Sequence, residues 1–123
     1  MVLAIAACLT FLIGLIHSVL GEKYLISRLL RRDNLPKLFG DDWFTKRLLR
    51  FAWHLTTIAW WGMAAIFLEL ANPEVTLTVN ISWILALVFA LSGSIALFFS
   101  KGKHLSWLVF FAIAGLSAVS ASY

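Results

Sequence analysis

Apolar positions fall in four long runs, at residues 2–20, 51–71, 81–100 and 104–122, set apart by one long polar stretch and two short ones. The first run, Val2 to Leu20, holds 19 residues with no Lys, Arg, Asp or Glu. As a helix rising 1.5 Å per residue, it matches the roughly 30 Å hydrocarbon core of a bilayer. The pattern therefore predicts an all-α integral membrane protein with one membrane domain over 1–123. Its fold class is a four-transmembrane-helix antiparallel bundle, with an amphipathic cytoplasmic segment between helices 1 and 2. Asn72-Pro73 ends the second run, because proline disfavours helix at the residue before it. The outer loop 72–80 has Glu74 as its one charge, and Glu69 reaches that surface from the helix end. Asn80-Ile81-Ser82 forms a glycosylation sequon too close to the membrane for use. Lys101-Gly102-Lys103 makes a tight turn, so the third and fourth helices are antiparallel neighbours.

The stretch 21–50 is polar but patterned. Leu25, Ile26, Leu29 and Leu30 share one helical arc, and Lys23, Arg28, Arg31 and Arg32 share the other. This predicts an amphipathic helix in the inner interface, or a cytoplasmic extension of helix 1. Asp33-Asn34-Leu35-Pro36 breaks it, and Asp41 is the expected N-cap of a second helix starting near residue 42.

Composition reinforces the membrane reading, with 62% of residues hydrophobic and 13% charged. All ten Lys and Arg lie within 21–50 and 101–104. Basic residues stay on the cytoplasmic side of membrane segments. Four crossings with an extracytoplasmic N-terminus and C-terminus follow, as in a bacterial inner membrane. The net charge of +4 belongs with anionic lipids at the cytoplasmic face and not with nucleic acid, because the basic residues flank apolar spans. The first run lacks the basic start of a signal peptide and reads as a retained helix. The single cysteine, Cys8, excludes an internal disulfide and reads as a small apolar side chain.

Helix faces narrow the chemistry. Trp43, Arg47, Arg50, His54, Thr57 and Trp61 lie within roughly 80° of one face of helix 2. Helix 1 offers Ala6, Thr10, Gly14, His17 and Gly21 on one face, spaced for close approach of another backbone. Ser82, Ala86, Gly93, Ala96 and Ser100 form a small-residue face on helix 3, and Gly115, Ala118 and Ser122 one on helix 4. These faces predict a tight bundle in which His17 and His54 meet near the inner boundary.

Four readings of that histidine pair stand side by side. A b-type haem would take His17 and His54 as axial ligands, with room at Gly14 and Gly21 and propionates on Arg47 and Arg50, for electron transfer involving a quinone. A divalent metal would draw on His17, His54 and His104 with a carboxylate from Glu22, Asp41 or Asp42. His17 and Glu22 diverge by about 140° on a continuous α-helix, so Glu22 suits Ser18 or a basic neighbour better. A lipid, quinone or isoprenoid headgroup would sit among Arg47, Arg50, His54 and Thr57, lined by Trp43 and Trp61. An accessory or assembly subunit of a larger membrane complex, or a homo-oligomer, would use the histidines structurally, hydrogen-bonded to Ser18, Thr56, Thr57 or backbone carbonyls. A transporter is disfavoured by the lack of an ionisable group at mid-depth. The spacing signals no serine or cysteine hydrolase triad and no phosphate loop, so no catalytic residue is expected from the sequence.

Overall fold

The computed structural model describes residues 2–72 and 76–122. Pro73 and Glu74, expected in the loop after helix 2, lie outside the described residues. The chain is all-helical: α1 spans Val2–Leu29, α2 Trp43–Ala71, α3 Leu77–Ser100 and α4 Ser106–Ala121. No strand occurs among the described residues. The first three helices are long and apolar enough to cross a membrane, while α4 is a shorter apolar helix of 16 residues.

The polar stretch 21–50 divides three ways. Residues 21–29 continue α1 without a break, so the extension of helix 1 is the form adopted. Within it, Gly21–Ile26 is π-helical. The extra residue in that turn shifts the apolar arc: Ile26 and Leu30 are buried, while Leu25 is half exposed. Residues 30–42 then form an irregular loop, closed by an isolated bridge between Leu38 and Asp41 and by positive φ at Phe39 and Gly40. Thr45 Oγ1 donates to the Pro36 carbonyl at 2.7 Å and ties this loop to the next helix.

α2 starts at Trp43, close to the expected start near residue 42 and eight residues before the apolar run, because its first two turns pack Phe44 and Thr45 inward. Two local details differ from the sequence expectation. Asp41 does not cap α2: its carboxylate accepts from the Asp42 N–H, and Asp42 pairs with Lys46 at 2.7 Å. α3 starts at Leu77, so Asn80 is helical and donates to Glu69 Oε2 at 2.8 Å, joining α2 to α3.

The helices pack in chain order, α1 on α2, α2 on α3 and α3 on α4. Among the described residues, the Cα trace of α1 nowhere comes within 8 Å of α4. The expected antiparallel bundle therefore takes the form of an open row of neighbours. The physical reason is that small-residue faces satisfy only adjacent pairs. Ala86, Gly93, Ala96 and Ser100 are buried on α3, with Gly93 against Phe110 and Phe111 of α4. Gly115, expected to pack, faces open space, and α4 buries Ala114 and Ala121 instead. Two glycines matter for the site. A methyl group at Gly14 would lie 2.9 Å from Trp61 Nε1, and one at Gly21 would collide with the Trp53 indole.

The turn between α3 and α4 closes in a Schellman motif. Lys101 adopts the left-handed conformation at φ 50°, and the Gly102 N–H reaches back to the Leu97 carbonyl at 3.1 Å. Lys101 and Lys103 both lie over the Trp43 ring, at 5.3 and 4.9 Å from its centroid, and Lys103 also covers Phe39. Cation–π contact therefore fastens this turn to the start of α2.

Candidate functional site

α2 meets α1 through a ladder of donors. Trp61 Nε1 donates to the Phe11 carbonyl at 3.2 Å, Thr57 Oγ1 to Gly14 at 3.3 Å, and Trp53 Nε1 to His17 at 3.1 Å. The donors are four residues apart and the acceptors three, so each turn of α2 faces one turn of α1 in antiparallel register. A helical carbonyl keeps a spare lone pair for such a bond. The glycines explain the closeness: with no side chain at 14 or 21, the Trp61 and Trp53 indoles come right up to α1.

The ladder continues toward the basic end as a polar cluster. His54 Nδ1 lies 2.5 Å from Ser18 Oγ, and His54 Nε2 lies 3.2 Å from Glu22 Oε2. Arg50 Nη2 lies 2.9 Å from Glu22 Oε1, which also accepts from Ser27 Oγ at 3.2 Å. Ser18 and Glu22 are one turn apart on α1; Arg50 and His54 are one turn apart on α2. Four side chains from two helices therefore form one continuous hydrogen-bonded chain. Glu22 joins it as expected for a partner of Ser18's face and of a basic neighbour, and not as a companion of His17.

The three histidines serve three different purposes. His17 stacks on Trp53 with centroids 4.2 Å apart and planes 11° off parallel, and Trp60 flanks it at 5.0 Å. Its Nε2 is buried without a partner. His54 is half-buried in the polar cluster. His104 meets Phe51 edge-on and uses Nδ1 toward Ser106, 2.7 Å from the hydroxyl and 3.4 Å from the backbone N–H, which caps the start of α4. Of the two histidines expected near one another, His17 pairs with Trp53 and His54 with Ser18. Adjacent positions on α2 present both partners to α1, and the indole takes the space nearest Gly21.

In this arrangement both nitrogens of His54 are engaged, and the space beside Gly14 and Gly21 is occupied by Trp61 and Trp53. Among the described residues, no group of three His, Cys, Asp or Glu side chains comes together, and His104 turns to Ser106 at the start of α4.

The remaining expected residues divide. Arg50, His54, Thr57 and Trp61 all reach α1. Trp43 turns to the α3–α4 turn instead, and Arg47 has no carboxylate partner among the described residues. Arg50 keeps its Nε buried and unpartnered. Sequence reasoning offered Ser18 as a hydrogen-bond partner for a histidine, which His54 takes up, and missed Trp53 as a donor. The available signals were the i, i+4 spacing of Ser18 and Glu22 and the gaps at Gly14 and Gly21.

No protein-family model matches the chain, and no curated protein or solved structure matches it. Fold and site together define an all-helical protein with membrane-spanning-type helices and a polar cluster at the basic end of its first helix pair.

Proposed function

We propose that the chain is a four-span integral membrane protein that binds an anionic lipid headgroup at the cytoplasmic mouth of α1 and α2. In this reading α4 completes the fourth crossing, both termini face away from the cytoplasm, and the membrane is a bacterial inner membrane. The charge distribution supports the orientation, since all ten basic residues sit at one end of the helices.

One observation carries the binding assignment. Arg50 spends a single terminal nitrogen on Glu22 and leaves its Nε buried without a partner, while Arg47, about one turn before it, pairs with no carboxylate among the described residues. A guanidinium in this state is matched by a phosphate oxygen, which accepts several charge-assisted hydrogen bonds. Each basic residue near an anionic surface adds roughly 1 kcal/mol of attraction. The indoles of Trp53, Trp60 and Trp61 give the flanking apolar wall at which an acyl chain rests.

The test is lipid retention. Protein reconstituted with equal phosphatidylglycerol and phosphatidylcholine is extracted and weighed by native mass spectrometry. Retained phosphatidylglycerol, lost in Arg47→Gln and Arg50→Gln, is the expected result; equal retention of both lipids sinks the assignment. For topology, a cysteine at Ser122 in a Cys8→Ala background should react with an impermeant maleimide added outside intact cells, and protection there overturns the four-span reading.

A further inference from the structure

Ser18 departs from the usual bonding of a helical hydroxyl. Thr10, Thr56, Ser94, Ser100 and Ser122 each donate to the carbonyl four residues back, the usual outlet for a helical hydroxyl. For Ser18 that carbonyl belongs to Gly14, and Thr57 already donates to it. The Ser18 hydroxyl turns across the helix interface to His54 Nδ1 instead.

The proton positions follow from what each group can do. A carboxylate only accepts, so a neutral His54 carries its proton on Nε2, facing Glu22. Nδ1 is then an acceptor, and the Ser18 O–H donates to it. Arg50 and Ser27 hold the other Glu22 oxygen and fix the carboxylate plane. A hydroxyl, a base and an orienting carboxylate are thus linked in series, and it is by geometry and role that a nucleophilic triad is recognised. The two ring nitrogens exchange places relative to the familiar protease arrangement. Ser18 is half-buried and within reach from the helix surface.

We infer that Ser18 is a nucleophile, with His54 as its base and Glu22 as the residue that orients the base, and that the protein cleaves an acyl ester carried by a membrane-soluble amphiphile. The substrate class rests on the membrane reading above; the nucleophile does not. Ser18 Oγ bonds to the ester carbonyl carbon as its proton passes to His54 Nδ1. The imidazolium formed is held by Glu22. Collapse breaks the carbonyl–alkoxy bond, and the His54 proton leaves with the alcohol. Water then attacks the acyl-serine, its proton goes to His54, the carboxylic acid departs, and Ser18 recovers its proton. One ester and one water yield one acid and one alcohol.

The full chain in detergent micelles is treated with an alkyl fluorophosphonate, and the adduct is located by intact mass and peptide mapping. One phosphonyl adduct on Ser18 is expected. It should be absent from Ser18→Ala and form about 10²-fold more slowly, or slower still, in His54→Asn. Ser94→Ala, a back-bonded serine on α3, should label like the parent. Far-ultraviolet circular dichroism confirms that each variant is folded. No adduct on Ser18 of the folded parent protein, or equal rates in the parent and His54→Asn, overturns the inference. With 4-nitrophenyl decanoate in the same micelles, release of nitrophenolate should require Ser18; equal release by Ser18→Ala also overturns it. Phospholipid plays no part in the labelling, so the headgroup assignment and the nucleophile fail independently.

Discussion

Ser27 Oγ donates to Glu22 Oε1 across five residues of one helix. In an α-helix, positions five apart point about 140° away from each other. The π-helical turn Gly21–Ile26 closes its hydrogen bonds at five residues and brings such positions over one another. The polar cluster therefore depends on a local change of helix type. Glu22 is held from its own helix by Ser27 and from the neighbouring helix by Arg50 and His54.

If the π turn sets the position of Glu22, removing one residue from it should undo the cluster. Deletion of Tyr24, which is exposed, returns the turn to α-helical spacing and carries Ser27 away from Glu22. Amide hydrogen exchange at α1 residues 21–29 should change pattern, and the Arg50→Gln substitution should then have no further effect on stability. A remaining effect of Arg50→Gln in the deletion background would show that the pair survives without the turn.

The Glu22–Arg50 pair is partly open to solvent, with side chains 32% and 40% exposed. Its coupling is expected to be about 1 kcal/mol or less, the range of exposed pairs. A double-mutant cycle of Glu22→Gln and Arg50→Gln, followed by unfolding in mixed micelles, measures it. A value several times larger would mean that the pair works in a much drier setting than its exposure indicates.

Gly21→Ala should destabilise the α1–α2 contact by about 1–3 kcal/mol, the usual range for overpacking, because the new methyl group meets the Trp53 ring. Trp53→Phe combined with Gly21→Ala should recover part of the loss. Gly115→Ala is the control, since nothing lies within 4 Å of its added methyl, and its melting temperature should not fall and should rise slightly, alanine being the better helix former.

Trp53→Phe alone keeps a ring against His17 and loses the bond to the His17 carbonyl. Interhelical hydrogen bonds in membranes average about 0.6 kcal/mol, so the loss should be small. Trp53→Ala also removes the stacked ring and should cost several times more. Equal losses for the two variants would assign the whole contribution to the hydrogen bond.

Asp42 lies outside the helix span, and its bond from Lys46 holds its carboxyl below the ordinary value of 3.8. The sign follows from linkage: a depressed folded value gives a contribution present above the unfolded pKa of about 3.9 and lost as pH falls through the folded one. Titration of the Asp42 carboxyl by NMR should therefore give a midpoint under 3.8 that returns to the ordinary value in Lys46→Met. The support that the pair gives the first turn of α2 should decline as pH falls from about 3.9 toward that midpoint.

Much of the site was legible from helix faces. Arg50, His54, Thr57 and Trp61 fall on one face of α2, and all four reach α1. Their partners were legible in part: polarity and depth offered Ser18 to a histidine and a basic neighbour to Glu22, but not Trp53 to His17. His17 and His54 share depth and face, yet Trp53, one position away on α2, takes the place beside His17. An indole comes right up to a glycine gap, a preference that shows only when the two helices are set in register. His104 lies at the same end but serves α4 as a cap, a local role that spacing along the chain does not reveal.

By itself the sequence determines the helices, the apolar lengths and the concentration of charge at one end. These depend on composition and period, which act on each segment separately. Tertiary structure alone decides that the helices form an open row, that a π turn re-aims Glu22, and that Ser18 finds His54 instead of its own helix. Each of these shows only when helices are set against one another, and that is a property of pairs of segments, not of any one.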